Sequence, residues 1–600
     1  MPLDFKDLVV IITGGGGGLG RSYAHMYGRG GAKVVVNDVS AENAQKVVNE
    51  VTSAGGKAIA AVGSVLEGQK IVDQAVKAFG TVHVLINNAG ILRDKSFRNM
   101  TQAEFDAVYD IHVQGAYAMT RAVWPIFRAQ KFGRIVNTSS PAGVYGNGGQ
   151  TNYSGAKHAL IIFSQVLDKE GVKYNIKANT IAPIAASAMT ETVMTKEVLS
   201  HFDADHVAPL IGVLTARNGP DVGGRLFEVG AGFYAETRWQ QSEGYVWKAD
   251  DSFTPSAVDL MWPKVKDFSK NVTLPSQSDG ARMMEIVGLQ PKLPPNPQGP
   301  PPASSFKGYT VIITGAGAGL GASYARYFAR FGGNVVVNDI NAKAANAIVD
   351  EVNKLGGVGL AAVGSVEEDA DAIVAATVAK FGTVHALINN AGILRDKAFV
   401  NMTPELFTPL FNIHVRGSWK MAKAVWPIMH KQNYGRIVNT SSPNGVVGAH
   451  GQSNYGTAKA AIIGFTKALA IEGKKNNILV NALAPSAGTA MTATIWTQEL
   501  LDTFKADFVA PITAYLASER CHDTSMVVKS FGGLAATYRW QRSYGIVFPN
   551  DKPATPDQLA SRWEEAVKFD ARATYPASTA DSRGQLAANF TNLSTGKAKL

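Results

Sequence analysis

Leu8–Ile12 reads LVVII and runs straight into Thr13-Gly14-Gly15-Gly16-Gly17-Gly18-Leu19-Gly20, and a second glycine turn stands at Thr314-Gly315-Ala316-Gly317-Ala318-Gly319-Leu320-Gly321. Consecutive apolar, mostly β-branched residues suit a strand covered on both faces, and such strands are central and parallel. Glycines placed directly after it let the backbone turn tightly onto a helix N-terminus and approach a pyrophosphate, whose charge the amides and helix dipole favour. The two features together predict a βα unit that opens a dinucleotide site. Outward from it, KVVVN (Lys33–Asn37), VLIN (Val84–Asn87) and RIVNTS (Arg134–Ser139) repeat the strand signature. Between them Leu19–Arg29, Ser40–Ala54 and Gly68–Phe79 have helical length, with stops at Gly55-Gly56 and Gly80. Strand–helix alternation with right-handed crossovers gives a doubly wound parallel α/β sheet.

The chain holds this arrangement twice. Gly80–Phe97 reads GTVHVLINNAGILRDKSF and Gly382–Phe399 reads GTVHALINNAGILRDKAF, 302 residues on. RIVNTSSP occurs at Arg134–Pro141 and Arg436–Pro443, Asp38 answers to Asp339, and Trp239 to Trp540. The expectation is two tandem Rossmann-like domains, residues 1–285 and 307–575, with a tail at 576–600. Residues 286–306 carry seven prolines from Pro291 to Pro302, a composition that favours an extended linker.

Composition narrows the function classes. With 46% hydrophobic and 18% charged residues the 600-residue chain has apolar material for several cores, which excludes a disordered scaffold. Cys521 is the lone cysteine, so an intramolecular disulfide and a multi-cysteine zinc site are both excluded, and no metal is expected. The charged N-terminus does not read as a signal peptide, and no apolar run is long enough for membrane insertion. The net charge of +10 is scattered among 48 acidic residues, which points away from nucleic acid and toward a phosphorylated small substrate.

Asp38 and Asp339, about 20 residues past the glycines, are placed to accept both ribose hydroxyls and to repel a 2′-phosphate, favouring NAD over NADP. Tyr153 and Lys157, like Tyr455 and Lys459, stand four apart and share a helix face. Ser140 and Ser442 precede the tyrosines by 13 residues, at a strand end where such sheets place their ligand crevice. An ammonium beside a phenol, with the positive oxidised nicotinamide, stabilises the phenolate, so tyrosine becomes a base for a secondary alcohol. The serine hydroxyl then holds the same oxygen and aligns the carbon that gives up hydride.

These motifs resemble the short-chain dehydrogenase/reductase family: TGxxxGxG (Gly14, Gly18, Gly20; Gly315, Gly319, Gly321), NNAG (Asn87–Gly90; Asn389–Gly392) and Ser…YxxxK in each copy. The tandem, with GILRDK, HVQG or HVRG, and TRW or YRW, resembles more narrowly the fungal peroxisomal multifunctional enzymes type 2 of fatty-acid β-oxidation. That resemblance implies NAD-dependent oxidation of (3R)-3-hydroxyacyl-CoA, with Asn88, Ala89, Gly90 and Asn390, Ala391, Gly392 beside the cofactor. The family's usual asparagine before the serine strand is His112 or His414 here, a candidate proton relay. Its adenine-contacting Asp-Val is Ser64-Val65 and Ser365-Val366. Its Pro-Gly is Pro183-Ile184 and Pro485-Ser486, with Ser187 and Thr489 as candidates for the carboxamide contact. A hydratase domain follows the second dehydrogenase in that arrangement and is not expected within these 600 residues. Ala598-Lys599-Leu600 is close to the Ser-Lys-Leu address of the peroxisomal import receptor.

Two other readings share these motifs: a biosynthetic or steroid-type ketone reductase, and a tandem in which one copy is an inactive scaffold. Between serine and tyrosine the copies read PAGVYGNGGQTN and PNGVVGAHGQSN, so the two sites are expected to prefer different acyl lengths. Apolar faces on Phe105–Ala129, Phe407–Lys431, Tyr153–Leu167 and Tyr455–Leu469 predict an intramolecular pseudo-dimer, its active sites turned away from the contact.

Overall fold

The computed structural model describes residues 1–185, 202–276, 280–299, 305–489 and 497–584. In the first half the strands are β1 (Val9–Thr13), β2 (Lys33–Asp38), β3 (Lys57–Val62), β4 (Val84–Asn87), β5 (Gly133–Thr138), β6 (Ile176–Pro183), β7 (Leu226–Gly230), β8 (Phe233–Gln241) and β9 (Tyr245–Val246). They pair in the order β3-β2-β1-β4-β5-β6-β7, all parallel, and β8 closes antiparallel on β7. The second half repeats this with β10 (Thr310–Thr314), β11 (Asn334–Asp339), β12 (Val358–Val363), β13 (Ala386–Asn389), β14 (Gly435–Thr440), β15 (Ile478–Pro485), β16 (Val527–Phe531), β17 (Leu534–Arg542) and β18 (Ile546–Val547). The chain order reverses between β1 and β4, and between β10 and β13, which fixes the ligand crevice at the C-terminal ends of those strands.

Local chemistry sets the boundaries. Ser40 caps helix Ala41–Ser53 through the Asn43 amide, and Gly80, left-handed at φ 83°, ends helix Gly68–Phe79. The stretch expected to be one amphipathic helix from Phe105 is three pieces: Gln102–Tyr109, a π turn at Asp110–Gln114, and Gly115–Gln130.

The halves touch through many contacts, among them three devices of the fold and the stacking of Tyr117 on Phe407. β8 pairs antiparallel with β17, opposing Trp239 to Trp540 with their rings stacked at 3.6 Å, so one sheet runs through both halves. Helix Thr151–Gly171 lies along Tyr455–Gly473, burying Ile162 and Val166 against Ala460. A Cβ at Gly464 would come within 2.3 Å of the Ser154 carbonyl, so glycine permits this close crossing. Third, the C-terminal segments cross over. Trp247, Phe253 and Trp262 sit in the core of the second half with Val311 and Phe328, while Leu559 and Trp563 sit in that of the first half with Val10 and Tyr27. Each large apolar side chain so buried stabilises the pairing by roughly 1.5–3 kcal/mol.

Part of the proline-rich segment is docked rather than extended across solvent. Gln290 donates to the Trp247 and Gly532 carbonyls, and Asn296 exchanges hydrogen bonds with Lys248. Amide side chains beside the prolines supply the anchors that proline, lacking an N–H, does not.

Candidate active site

Each copy builds its cleft from the C-terminal ends of its parallel strands. At the end of β1, Gly14 adopts φ 61° and lies so close to the next loop that a Cβ would meet the Ala89 Cα at 2.9 Å. Gly20 is equally crowded, against the Gly14 carbonyl at 2.4 Å, whereas a Cβ at Gly17 or Gly18 meets nothing within 4 Å. The turn is thus packed on the protein side and open at the helix N-terminus, as a phosphate cradle must be. Thr13 Oγ1 accepts from the Asn88 and Ala89 amides, at 2.9 and 3.0 Å, which seats the NNAG turn beside the glycines. Thr314 repeats this with Asn390 and Ala391.

Asp38 accepts from the Gly16 amide at 3.1 Å and the Ser40 amide at 3.0 Å, and Asp339 does the same with Gly317 and Asn341. The carboxylate therefore stands over the glycine turn. Ser64 and Ser365 cap the following turns through the Leu66 and Glu367 amides, while Val65 and Val366 are buried. Pro183 and Pro485 end β6 and β15. Thr489 reaches the second glycine loop, its Cγ2 lying 3.6 Å from where a Gly319 Cβ would be. Ser187 and Ala598-Lys599-Leu600 lie outside the described residues.

The serine, tyrosine and lysine converge. Ser140 follows β5, Tyr153 is half-buried on helix Thr151–Gly171, and Lys157 is buried one turn on with Nζ 5.5 Å from the Tyr153 ring. Lys157 donates to the Thr138 carbonyl at 2.6 Å, and Lys459 to Thr440 at 2.7 Å. Burial pushes the Tyr153 phenol up to about 12, against a lowering hydrogen bond with Ser140, and pulls the Lys157 ammonium down to about 7. Tyr455 and Lys459 behave alike. The expected phenolate is therefore not favoured by the lysine alone. In a dry cleft both neutral forms gain.

His112 and His414 lie on the π turns, a local irregularity frequent at functional sites. Nε2 of His112 lies 2.9 Å from the Ile91 carbonyl and 3.1 Å from the Ile91 amide, bonding one or the other according to its tautomer, and the ring meets Tyr153 edge-on at 5.4 Å. The ring also fills the space above Gly90, where a Cβ would come within 2.3 Å of it. Burial and the nearby Lys157 hold it well below the usual imidazole range, hence neutral, and among the described residues Nδ1 is buried without a partner.

Asn152 was not singled out from sequence, yet it fixes the start of the tyrosine helix. Its Oδ1 accepts from the Tyr153 amide, and its Nδ2 donates to the Arg93 and Glu104 carbonyls. Asn454 does the same in the second copy. The available signal was an asparagine directly before the tyrosine in both copies.

A doubly wound sheet, a glycine turn and a Ser–Tyr–Lys cluster at its C-terminal edge define a nucleotide-dependent dehydrogenase. The profile of the short chain dehydrogenase family matches residues 8–201 and 309–500, so the chain belongs to that family, twice over, and its cofactor is NAD or NADP. It is 46% identical over 601 residues to the peroxisomal hydratase-dehydrogenase-epimerase of Neurospora crassa, covering 98% of this chain and 66% of that protein. The Saccharomyces cerevisiae protein of the same name is 44% identical over 605 residues, covering 97% of this chain and 66% of that protein. The chain thus spans just under two thirds of these relatives. The solved full-length peroxisomal multifunctional enzyme type 2 from Drosophila melanogaster shares 35% identity at a TM-score of 0.42, over 48% of this chain and 50% of that one.

Proposed function

We propose that the chain oxidises (3R)-3-hydroxyacyl-CoA to 3-ketoacyl-CoA with NAD, at two sites, in peroxisomal fatty-acid β-oxidation. The observation that carries this reading is the Ser–Tyr–Lys cluster, complete in both copies behind a glycine turn overlooked by a carboxylate. The motif resemblance supplies the substrate class, and the relatives' names supply the compartment. In this reading residues 1–285 and 307–575 are the dehydrogenase units of an intramolecular pair. Residues 286–306 join them, and a tail follows at 576–600.

Bound NAD would accept the hydride from C3 and bring a positive charge into the cleft. Ser140 donates a hydrogen bond to the substrate oxygen, Tyr153 takes the hydroxyl proton as the carbonyl forms, and Lys157 stabilises the phenolate. Ser442, Tyr455 and Lys459 act in the same way. His112 and His414, neutral and close to the tyrosines, are the proposed relay. Supplied with NAD, the chain is expected to form NADH from the (3R) and not the (3S) substrate. A preference for (3S), or activity with NADP(H) only, overturns the reading. Chain-length profiles of the two single-site variants are expected to differ, because Pro141–Asn152 and Pro443–Asn454 differ while the clusters do not.

Asp38 carries the cofactor preference of the first site. In a Tyr455→Phe background, Asp38→Ala is expected to raise the KM for NAD roughly tenfold or more, as loss of a hydrogen bond to a charged group implies. Discrimination against NADP should fall at the same time, since the repelling charge is gone. An unchanged NAD-to-NADP ratio of kcat/KM would show that Asp38 does not meet the ribose.

A further inference from the structure

Glu170 and Glu472 occupy the same position in the two copies, near the C-terminal ends of the tyrosine-bearing helices Thr151–Gly171 and Tyr455–Gly473. Neither carboxylate serves its own half. Glu472 Oε2 accepts from the Phe97 amide at 2.6 Å and its Oε1 from the Gly149 amide at 3.1 Å. Reciprocally, Glu170 accepts from the Phe399 amide at 2.5 Å and the Gly451 amide at 3.0 Å.

The strips joined in this way are walls of the opposite active site. Phe97 ends the segment that starts at Gly90 under His112, and Gly149 lies four residues before Tyr153. The strips also bind each other, through Lys95 N–H to the Gly149 carbonyl at 2.9 Å and Gln150 to Asp94 at 2.7 Å. Gly149 is left-handed at φ 77°, so its amide is turned out of any regular ladder and receives its acceptor from the carboxylate. Removing that acceptor leaves two inward amides unsatisfied in a part-buried place, which favours another loop arrangement. Lysines extend the same crossing: Lys423 donates to the Phe97, Arg98 and Met100 carbonyls, and Lys169 to Val447 and Gly448.

We infer that Glu472 is a positioning residue for the Ser140–Tyr153–Lys157 site and Glu170 for the Ser442–Tyr455–Lys459 site, so that each half shapes the other's active site. The inference rests on the proposed catalytic role of the two clusters. The full chain carries the test, with Tyr455→Phe isolating the first site and Tyr153→Phe the second. Glu472→Ala is expected to lower kcat/KM for the hydroxyacyl-CoA about tenfold in the Tyr455→Phe chain and less than twofold in the Tyr153→Phe chain, with Glu170→Ala giving the reverse. Glu472→Gln, which keeps one good acceptor, is expected to recover part of the loss, and it decides the matter should the alanine variant fail to fold. Equal losses at both sites, losses in the residue's own half, or none would overturn the inference. Should neither Tyr→Phe change remove activity, it is the catalytic reading that falls instead.

Discussion

Tyr153→Phe is expected to abolish turnover at the first site and leave the second working, and only the double change with Tyr455→Phe should silence the chain. The phenol is the group placed to take the substrate proton, and a positioned acid–base group contributes roughly 10²–10⁴-fold. Phenylalanine keeps the ring that meets His112 edge-on and removes only the hydroxyl that bonds Ser140. NADH formation at saturating (3R)-3-hydroxyacyl-CoA, measured for the two single variants and the double variant, checks this. A single change that removes all activity would mean that the sites do not turn over independently.

The second large effect is on stability. Glu228 of β7 and Arg542 of β17, each with a side chain 1% exposed, pair across the halves at 2.8 Å. Tyr145 donates to the same carboxylate, and Thr237 and Ser582 add hydrogen bonds to it. Arg542→Ala leaves a buried carboxylate without its cation, a change that costs about 3–5 kcal/mol. A clear drop in the denaturant midpoint is expected, and a loss under about 1 kcal/mol would contradict it. Glu228→Leu combined with Arg542→Leu removes both charges but takes the acceptor from Tyr145, Thr237 and Ser582, so it is expected to recover only part of the loss.

Those two predictions draw on very different amounts of sequence information. The glycine turns, the aspartates after them and the Ser–Tyr–Lys spacing are local patterns. Helix and strand periodicity convert such patterns directly into shared faces and strand ends, and Tyr153, Lys157 and Ser140 lie where that geometry puts them. His112 was legible as a residue but not as a position, because a π turn moves it off the 3.6-residue period that frames an amphipathic reading. Nor was it legible that Glu472 and Glu170 hydrogen-bond across the contact between halves, to Phe97 and Gly149 and to Phe399 and Gly451. No local period encodes a partner about 300 residues distant, so the Glu228–Arg542 pair and the crossed Trp262 and Trp563 were equally invisible. The docked part of the linker was hidden for a related reason: its prolines announce an extended chain, while the amide side chains of Gln290, Asn296 and Gln298 anchor it to partners that lie elsewhere.

The crossed C-terminal segments have a consequence for the order of events at the ribosome. The apolar cluster that contains Phe5, Val10 and Tyr27 also contains Leu559 and Trp563, so its last members are made only after most of the second copy. At roughly 5–20 residues per second, the finished first copy waits between about a quarter of a minute and one minute for them. Throughout that interval it presents sticky surface to its surroundings. Chaperone occupancy on translating chains should therefore persist past the first repeat and decline only as the second nears completion.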